Sequence, residues 1–287
     1  MNFMISKPLH FETTNLLPGL YIVATPIGNL QDITLRALST LQGADIVLAE
    51  DTRHTQKLLR AYDMRVAQLV CYNEHNHHKQ QDRILAWAKD KAVVLVSDAG
   101  TPLIADPGYR LVAACVAAGV RVTSVPGPCA FVAAVTMAGL PNTEITFGGF
   151  VPRTGGKRID FFRRYATHTG SVACYETPHR LLDTLDCLQD LNPERPLAVI
   201  KEISKTFETV WHGTAASCHK LLQDNPSAIK GEFVLVLGPC DKSETINYTN
   251  RLKKLLQDYS IKEAVRIICD ETGLKKNDVY KQALALK

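Results

Sequence analysis

The chain has 287 residues, 46% of them hydrophobic and 22% charged, and a formal net charge of +4. This is the make-up of a globular protein of one large or two ordinary domains, and it excludes a disordered, fibrous or highly charged chain. The mild positive charge permits a polyanionic partner without demanding one.

The eight cysteines are scattered and form no C-x-x-C pair, which speaks against a zinc site and a disulfide framework and suits a reducing, cytoplasmic setting. No apolar run approaches the roughly 18–20 residues that span a bilayer, so no membrane partner is expected. The first fifteen residues, MNFMISKPLHFETTN, lack a basic stretch followed by an apolar core. They read as a loose leader rather than a signal peptide.

In chain order, residues 20–24 read as a strand broken by Thr25-Pro26-Ile27-Gly28-Asn29. Ile33, Leu35, Ala37, Leu38 and Leu41 then space out an amphipathic helix that stops at Gly43. Residues 46–49 form a second strand, followed by Glu50-Asp51-Thr52-Arg53-His54-Thr55 and a helix over 56–62. A strand over 66–71 leads to the polar loop 73–78, and a helix runs through Ile84, Leu85 and Trp87. Residues 93–96 are β-branched and apolar, as in a strand buried on both faces, and end in Ser97-Asp98-Ala99-Gly100-Thr101-Pro102. A helix opened by Asp106-Pro107 closes at Gly119, and a strand over 120–125 ends in Pro126-Gly127-Pro128. By composition, 130–138 is a buried helix stopped by Gly139 and Pro141.

The pattern then changes. Residues 145–147 and Gly148-Gly149-Phe150 lead into 151–158, a basic, glycine-containing stretch expected to be a mobile loop. A strand over 171–175 ends in Glu176-Thr177-Pro178-His179-Arg180, and a helix covers 181–191. Strands over 196–200, 209–211 and 233–237 are joined partly by hairpin-length connections. The expected organisation is an α/β domain over 18–140, a second α/β domain with antiparallel pairs over 141–240, and a helical tail over 249–287. The domain boundary falls near 139–143, and a polar linker covers 240–250. In the tail, Ser260-Ile261-Lys262-Glu263 fits a capping box, Thr272-Gly273 a turn and 274–286 a helix. The tail carries nine Lys/Arg and five Asp/Glu, so it holds the whole net charge on a neutral body. A basic helix-turn-helix-like module suggests nucleic acid. A solvated helical cap or a dimer contact accounts for it equally well.

No G-x-G-x-x-G or G-x-x-x-x-G-K-[ST] occurs, which speaks against an ordinary dinucleotide site or P-loop. In their place stand four loops broken by proline or glycine at strand ends: TPIGN, SDAGTP, PGPCA and ETPHR. Ligands of open α/β sheets sit off the carboxyl ends of the strands, and small residues let them approach the backbone. Four such loops favour a ligand cleft between the two halves. Spacing alone makes Asp98 a loop-capping residue. The cluster Glu50 to His54 is read as a polar constellation at the mouth of the site in preference to a helix cap with a surface ion pair. Glu74-His75-Asn76-His77-His78 is read as a solvated loop, since a fourth metal ligand is undefined, and no metal is expected. Cys129 lies beside no histidine and reads as a small packing residue.

LYIVATPIGNLQDITLRAL, AEDTRHT, VSDAGTPLIADPGY, PGPCA, GFVPR, YETPHRL and GEFVLVLG closely resemble the tetrapyrrole methylase superfamily. Within it they resemble the ribosomal RNA small subunit methyltransferase I family. The resemblance spans roughly residues 20–238 and implies two α/β domains with S-adenosylmethionine in the cleft between them. It further implies a homodimer that methylates the ribose 2′-hydroxyl of a cytidine in the decoding region of small-subunit (16S) ribosomal RNA, free or in the assembled small subunit. Carried over residue by residue, the cofactor positions are Asp98, Thr101, Leu103, Ile104, Cys129 and Ala130, then Tyr175, Thr177, Glu232 and Phe233, with Pro26 and Gly28 as floor. Such a transfer needs alignment and a dry site more than a metal. A proton acceptor helps, and the candidates are Glu50, Asp51, His54 and Lys201. Arg53, Arg153, Lys157 and Arg158 read as phosphate contacts. The alternatives are a methylase of a small tetrapyrrole, against which the basic tail counts, and a non-catalytic RNA-binding sensor of the cofactor.

Overall fold

The computed structural model describes residues 15–73, 77–106, 108–240, 248–272 and 276–286. Most of the expected leader, Glu74, His75 and Asn76 of the polar loop, Pro107, linker residues 241–247 and Gly273 of the tail turn lie outside these residues. The chain divides into two compact units, one of Met1–Ala133 with Glu202–Glu208, the other of Ala134–Lys201 with Thr209–Lys287.

The first unit holds β1 (Gly19–Val23), α1 (Leu35–Gln42), β2 (Ile46–Ala49), α2 (Thr52–Ala61), β3 (Leu69–Cys71), α3 (His77–Asp90), β4 (Ala92–Val96), α4 (Tyr109–Ala117) and β5 (Val122–Val125). Its sheet has the order β3-β2-β4-β1-β5, and every pairing is parallel. Parallel strands covered by helices on both faces must be apolar at successive positions, and β2 and β4 are buried at every residue. Alternation then divides the side chains between two cores. Val47, Ala49, Val94 and Val96 pack with Leu38 and Leu41 of α1, while Ile46, Leu48, Val93 and Leu95 pack with Ile84 of α3 and Leu111 of α4. Each fully buried aliphatic side chain is worth about 1.5–3 kcal/mol, so the sheet is a rigid base for the loops at its carboxyl edge.

α5 (Ala130–Met137) opens the passage to the second unit, which continues with β6 (Ile145–Phe150), α6 (Gly155–Arg163), β7 (Ser171–Glu176), α7 (Leu181–Leu191), β8 (Leu197–Lys201), β9 (Thr209–Gly213), α8 (Ala215–Gln223) and β10 (Phe233–Leu237). Its sheet order is β6-β7-β10-β8-β9, parallel only between β6 and β7. The tail forms α9 (Thr249–Asp258), α10 (Ile261–Thr272) and α11 (Lys276–Ala285) around Leu252, Leu255, Val265, Ile268 and Val279. The capping box is present: Ser260 Oγ accepts the Glu263 N–H, and Glu263 accepts the Ser260 N–H at 3.1 Å.

Three expectations are corrected. The helix expected over 56–62 starts earlier, at Thr52, because Asp51 serves as its N-cap. The stretch 151–158 is not a mobile loop, since α6 starts at Gly155 and buries Arg158, Phe161 and Phe162; their burial outweighs the poor helix propensity of two glycines. α5 is only partly buried, with Val132 exposed. No helix of the described residues is long and apolar enough to cross a membrane.

Candidate functional site

The carboxyl edge of the first unit joins three of the four loops noted in the sequence. The N–H of Thr25 donates to the Gly100 carbonyl at 2.9 Å, and the Gly100 N–H returns a bond to the Thr25 carbonyl at 3.0 Å. Thr25 Oγ1 donates to the Ser97 carbonyl. Thr101 Oγ1 donates to the Pro128 carbonyl at 2.9 Å, which ties the loop after β4 to the loop after β5. Gly127 packs so closely that an added Cβ would stand 2.8 Å from that of Ala24. Pro26, Thr101, Leu103, Ile104, Cys129 and Ala130 are all half-buried on this edge. Leu103 and Ala105 adopt left-handed backbone conformations with φ of 71° and 67°. Such residues cost about 1–3 kcal/mol each and cluster in ligand clamps and active sites.

Asp98 does something the sequence did not suggest. Its Oδ1 accepts the backbone N–H of Asp51 at 3.0 Å, which couples the loop after β4 to the loop after β2. The two strands are parallel neighbours, with Ala49 opposite Val96, so the coupling follows from register. Asp51 caps α2 and takes the Arg53 guanidinium at 2.7 Å, while the Arg53 side chain is 85% exposed. Within the Glu50–His54 cluster, Asp51 and Arg53 thus form a helix cap with a surface ion pair. The Arg53 side chain and backbone hold the Asp51 carboxyl well below the usual carboxylate range, which makes it a poor proton acceptor. Glu50 is half-buried beside it and His54 is exposed.

The sequence marks Asp106 only as a helix opener. Burial raises its carboxyl above the usual value and the Asp98 charge adds to this, against a Ser97 hydrogen bond. The signal that could have found it is the second acid of SDAGTPLIAD, eight residues after Asp98 on one loop.

In the second unit, Tyr175 packs edge-on against Phe147 and Phe150, with centroids 5.0 and 5.2 Å away. A register shift between Phe147 and Phe150 brings both rings to Tyr175, and Gly149 supplies its φ of 76°. Thr177 Oγ1 accepts from Arg180 Nε at 3.0 Å. Beneath it Glu176 is buried and receives the Thr177 N–H, the Arg180 guanidinium and the Thr184 hydroxyl. Lys201 ends β8 opposite Phe233, and Glu232 is exposed. The Phe233 side chain belongs to the core of this unit, so only its backbone is open to a ligand. Arg153 and Lys157 are exposed. Arg158 is not: its side chain is 7% exposed, pairs with Asp183 at 3.4 Å and donates to the Arg153 carbonyl. Burial withdraws it from the surface on which a phosphate contact has to lie. No group of three metal-ligating side chains occurs among the described residues. The side chains of His77 and His78 lie outside the description.

Two family profiles match the chain: the tetrapyrrole (corrin/porphyrin) methylases over residues 19–218 and the RsmI C-terminal HTH domain over 249–287. The chain is 41% identical over 290 residues to the ribosomal RNA small subunit methyltransferase I of Neisseria meningitidis serogroup B, covering 99% of both proteins. Among solved structures it is similar in fold to a cobalt precorrin-4 methyltransferase of cobalamin biosynthesis, with a TM-score of 0.56 and 19% identity over 76% of this chain and 94% of that one. It is also similar to a Thermus thermophilus uroporphyrin-III C-methyltransferase in complex with S-adenosylhomocysteine, with a TM-score of 0.51 and 19% identity over 77% and 97% of the two chains.

Proposed function

The chain belongs to the ribosomal RNA small subunit methyltransferase I family of the tetrapyrrole methylases, and from that premise we propose that it methylates the 2′-hydroxyl of a cytidine ribose in the decoding region of small-subunit ribosomal RNA. Methylation of ribosomal RNA with S-adenosylmethionine as donor is the activity of the family. The cytidine, its 2′-oxygen, a homodimer and the assembled small subunit as substrate are parts of the proposal.

The observation that carries the reading is the carboxyl edge of the parallel sheet, where three strand-end loops are locked by hydrogen bonds around Thr25, Gly100 and Thr101. This edge is where we place the donor. Gly127 lets backbone come close, Leu103 and Ala105 are held in strained conformations, and Asp98 offers a carboxylate to an amino group. Asp98, Thr101, Leu103, Ile104, Cys129 and Ala130 would hold the donor over Pro26 and Gly28. Tyr175, Thr177, Glu232 and the Phe233 backbone are the donor positions we propose on the second unit. When bound, the donor supplies an electrophilic methyl group on a sulfonium.

The task left to the chain is to align the acceptor, exclude water and take up a proton. Asp106 is the carboxylate of this edge whose environment favours holding that proton. Arg53, Arg153 and Lys157 are exposed cations suited to the RNA backbone.

The test offers labelled S-adenosylmethionine with naked small-subunit RNA, assembled small subunits and a porphyrinoid in parallel, followed by digestion of the RNA to nucleosides. Label in 2′-O-methylcytidine is the expected result. Label in a base, or only in the porphyrinoid, overturns the proposal, and cofactor binding without any transfer points to a sensor.

A further inference from the structure

We infer that Glu202–Glu208 is an RNA-contacting loop, with the Lys205 ammonium on a backbone phosphate and the Phe207 ring against an unstacked base. The inference rests on the RNA-methylating reading above and adds a contact site that none of the sequence motifs marked.

This segment links β8 to β9 and belongs to the first unit. It is a built loop. Ser204 Oγ donates to the Asp32 carboxylate, and the Ser204 N–H donates to Glu208 Oε2 at 2.6 Å. The Lys205 N–H donates to the Glu202 carbonyl at 2.9 Å, and the Glu208 N–H to the Lys205 carbonyl at 3.1 Å. Glu202 and Ser204 both sit in the left-handed region, with φ of 52° and 66°. Two strained non-glycine residues in three positions persist only where the surroundings over-determine them, and such strain concentrates at functional loops.

The bonds and the strain place Lys205. Its stem lies across Gly28 of TPIGN so closely that an added Cβ would stand 2.4 to 2.9 Å from Cγ, Cδ and Cε. Gly28 therefore serves as the seat of this side chain, as well as adopting a φ of 147°. Lys205 Nζ lies 2.9 Å from Glu202 Oε1. The result is a cation held in one place beside the loop after β1, on the edge where the methyl donor is proposed to bind. The donor offers a single carboxylate and the acceptor a chain of phosphates, so a fixed ammonium on this edge suits the polyanionic acceptor, and the donor affinity measured below separates the two.

Two residues on, Phe207 is 72% exposed. A cation near an exposed aromatic ring is the pairing that single-stranded RNA recognition uses, one group for the backbone and one for an unstacked base. The two contacts have different physical signatures. A phosphate contact releases counterions and appears in the salt dependence of binding, whereas stacking changes affinity at every salt concentration alike.

The experiment measures binding of the full chain to a decoding-region RNA hairpin across a series of KCl concentrations, for the wild type, K205A, K205R, F207A and G28A. K205A is expected to make the log–log salt slope shallower by about 0.7–1, and K205R to keep it. F207A is expected to weaken binding about 5- to 100-fold with the slope unchanged. G28A, by displacing the Lys205 stem, reproduces the slope of K205A. Affinity for S-adenosylmethionine is measured alongside and stays at the wild-type value in K205A and F207A, which also reports that they are folded. An unchanged slope in K205A, or unchanged RNA affinity in F207A, overturns the inference. Methyl transfer by the wild type to small-subunit RNA is followed in the same preparations. If the wild type transfers and the variants bind RNA as it does, only this inference fails; if the wild type neither transfers nor binds, the reading beneath it fails too.

Discussion

The loop after β7 and the loop after β4 each carry acids, and they treat them in opposite ways. Glu176 is buried and fully compensated: a backbone N–H, a hydroxyl and a guanidinium all point at its two oxygens. Asp98 and Asp106 share a loop on which Asp98 accepts a backbone N–H, while the Asp106 carboxyl is raised by burial and by the Asp98 charge. Neither has a cation within ion-pair distance among the described residues. A compensated charge fixes the loop that carries it, while an undercompensated one keeps hydrogen-bonding capacity to offer a ligand or a proton. Glu176 is thus a positioning group for Tyr175 and Thr177, and the pair on the loop after β4 is the one suited to chemistry.

The largest effect that would break this comparison is a loss of stability. Glu176→Ala strands the Arg180 guanidinium, itself only 17% exposed, and removes the partner of the Thr184 hydroxyl. Breaking a buried pair from one side costs about 3–5 kcal/mol, to be read from the urea midpoint at constant slope. Removing both partners in Glu176→Ala with Arg180→Met should cost less than the sum of the two single changes. Additive losses would mean that the network is not a unit.

Asp106→Asn should act the other way round. A carboxyl raised in the folded state adds stability that is fully present below its unfolded value and is lost as pH rises through the folded value. At neutral pH the ionised group is therefore a burden, and the asparagine variant should melt at or above the wild-type temperature. Its turnover should fall by about 100-fold or more if Asp106 takes the proton, with affinity for S-adenosylmethionine retained. A variant that melts lower and methylates normally would assign Asp106 to structure alone.

How much of this was legible in the sequence depended on the distance over which each signal acts. The strands, the α7 bounds and the Ser260–Glu263 box were readable because alternation and capping are local. The strand-end loops were readable because proline and glycine punctuate them. Arg158 and Arg53 look alike in sequence, each a cation near an acid, and only the packing of α6 turns one inward while leaving the other in water. The contact of Asp98 with Asp51 spans 47 residues and follows from the pairing of β2 with β4, which no local pattern states. The seat of Lys205 on Gly28 is of the same long-range kind.

The smallest expected effect lies at Asp51, the third way in which this molecule uses an acid. Its carboxylate is on the surface, caps α2 and is held low first by the Arg53 side chain and then by the backbone of the same residue. A depressed carboxyl contributes stability above its unfolded value near 3.8, lost as pH falls from there through the folded value. Asparagine is an equally good N-cap, so Asp51→Asn keeps the bond to the Arg53 N–H and removes only the charge. The variant should be slightly less stable than the wild type at neutral pH. The two unfolding curves should converge as the solution is acidified below pH 3.8. Raising the salt concentration should close the same gap, because an exposed pair is screened. A gap that persists unchanged into acid would place the effect of Asp51 in the geometry of the cap, and the acid at the mouth of this edge would then act without its charge.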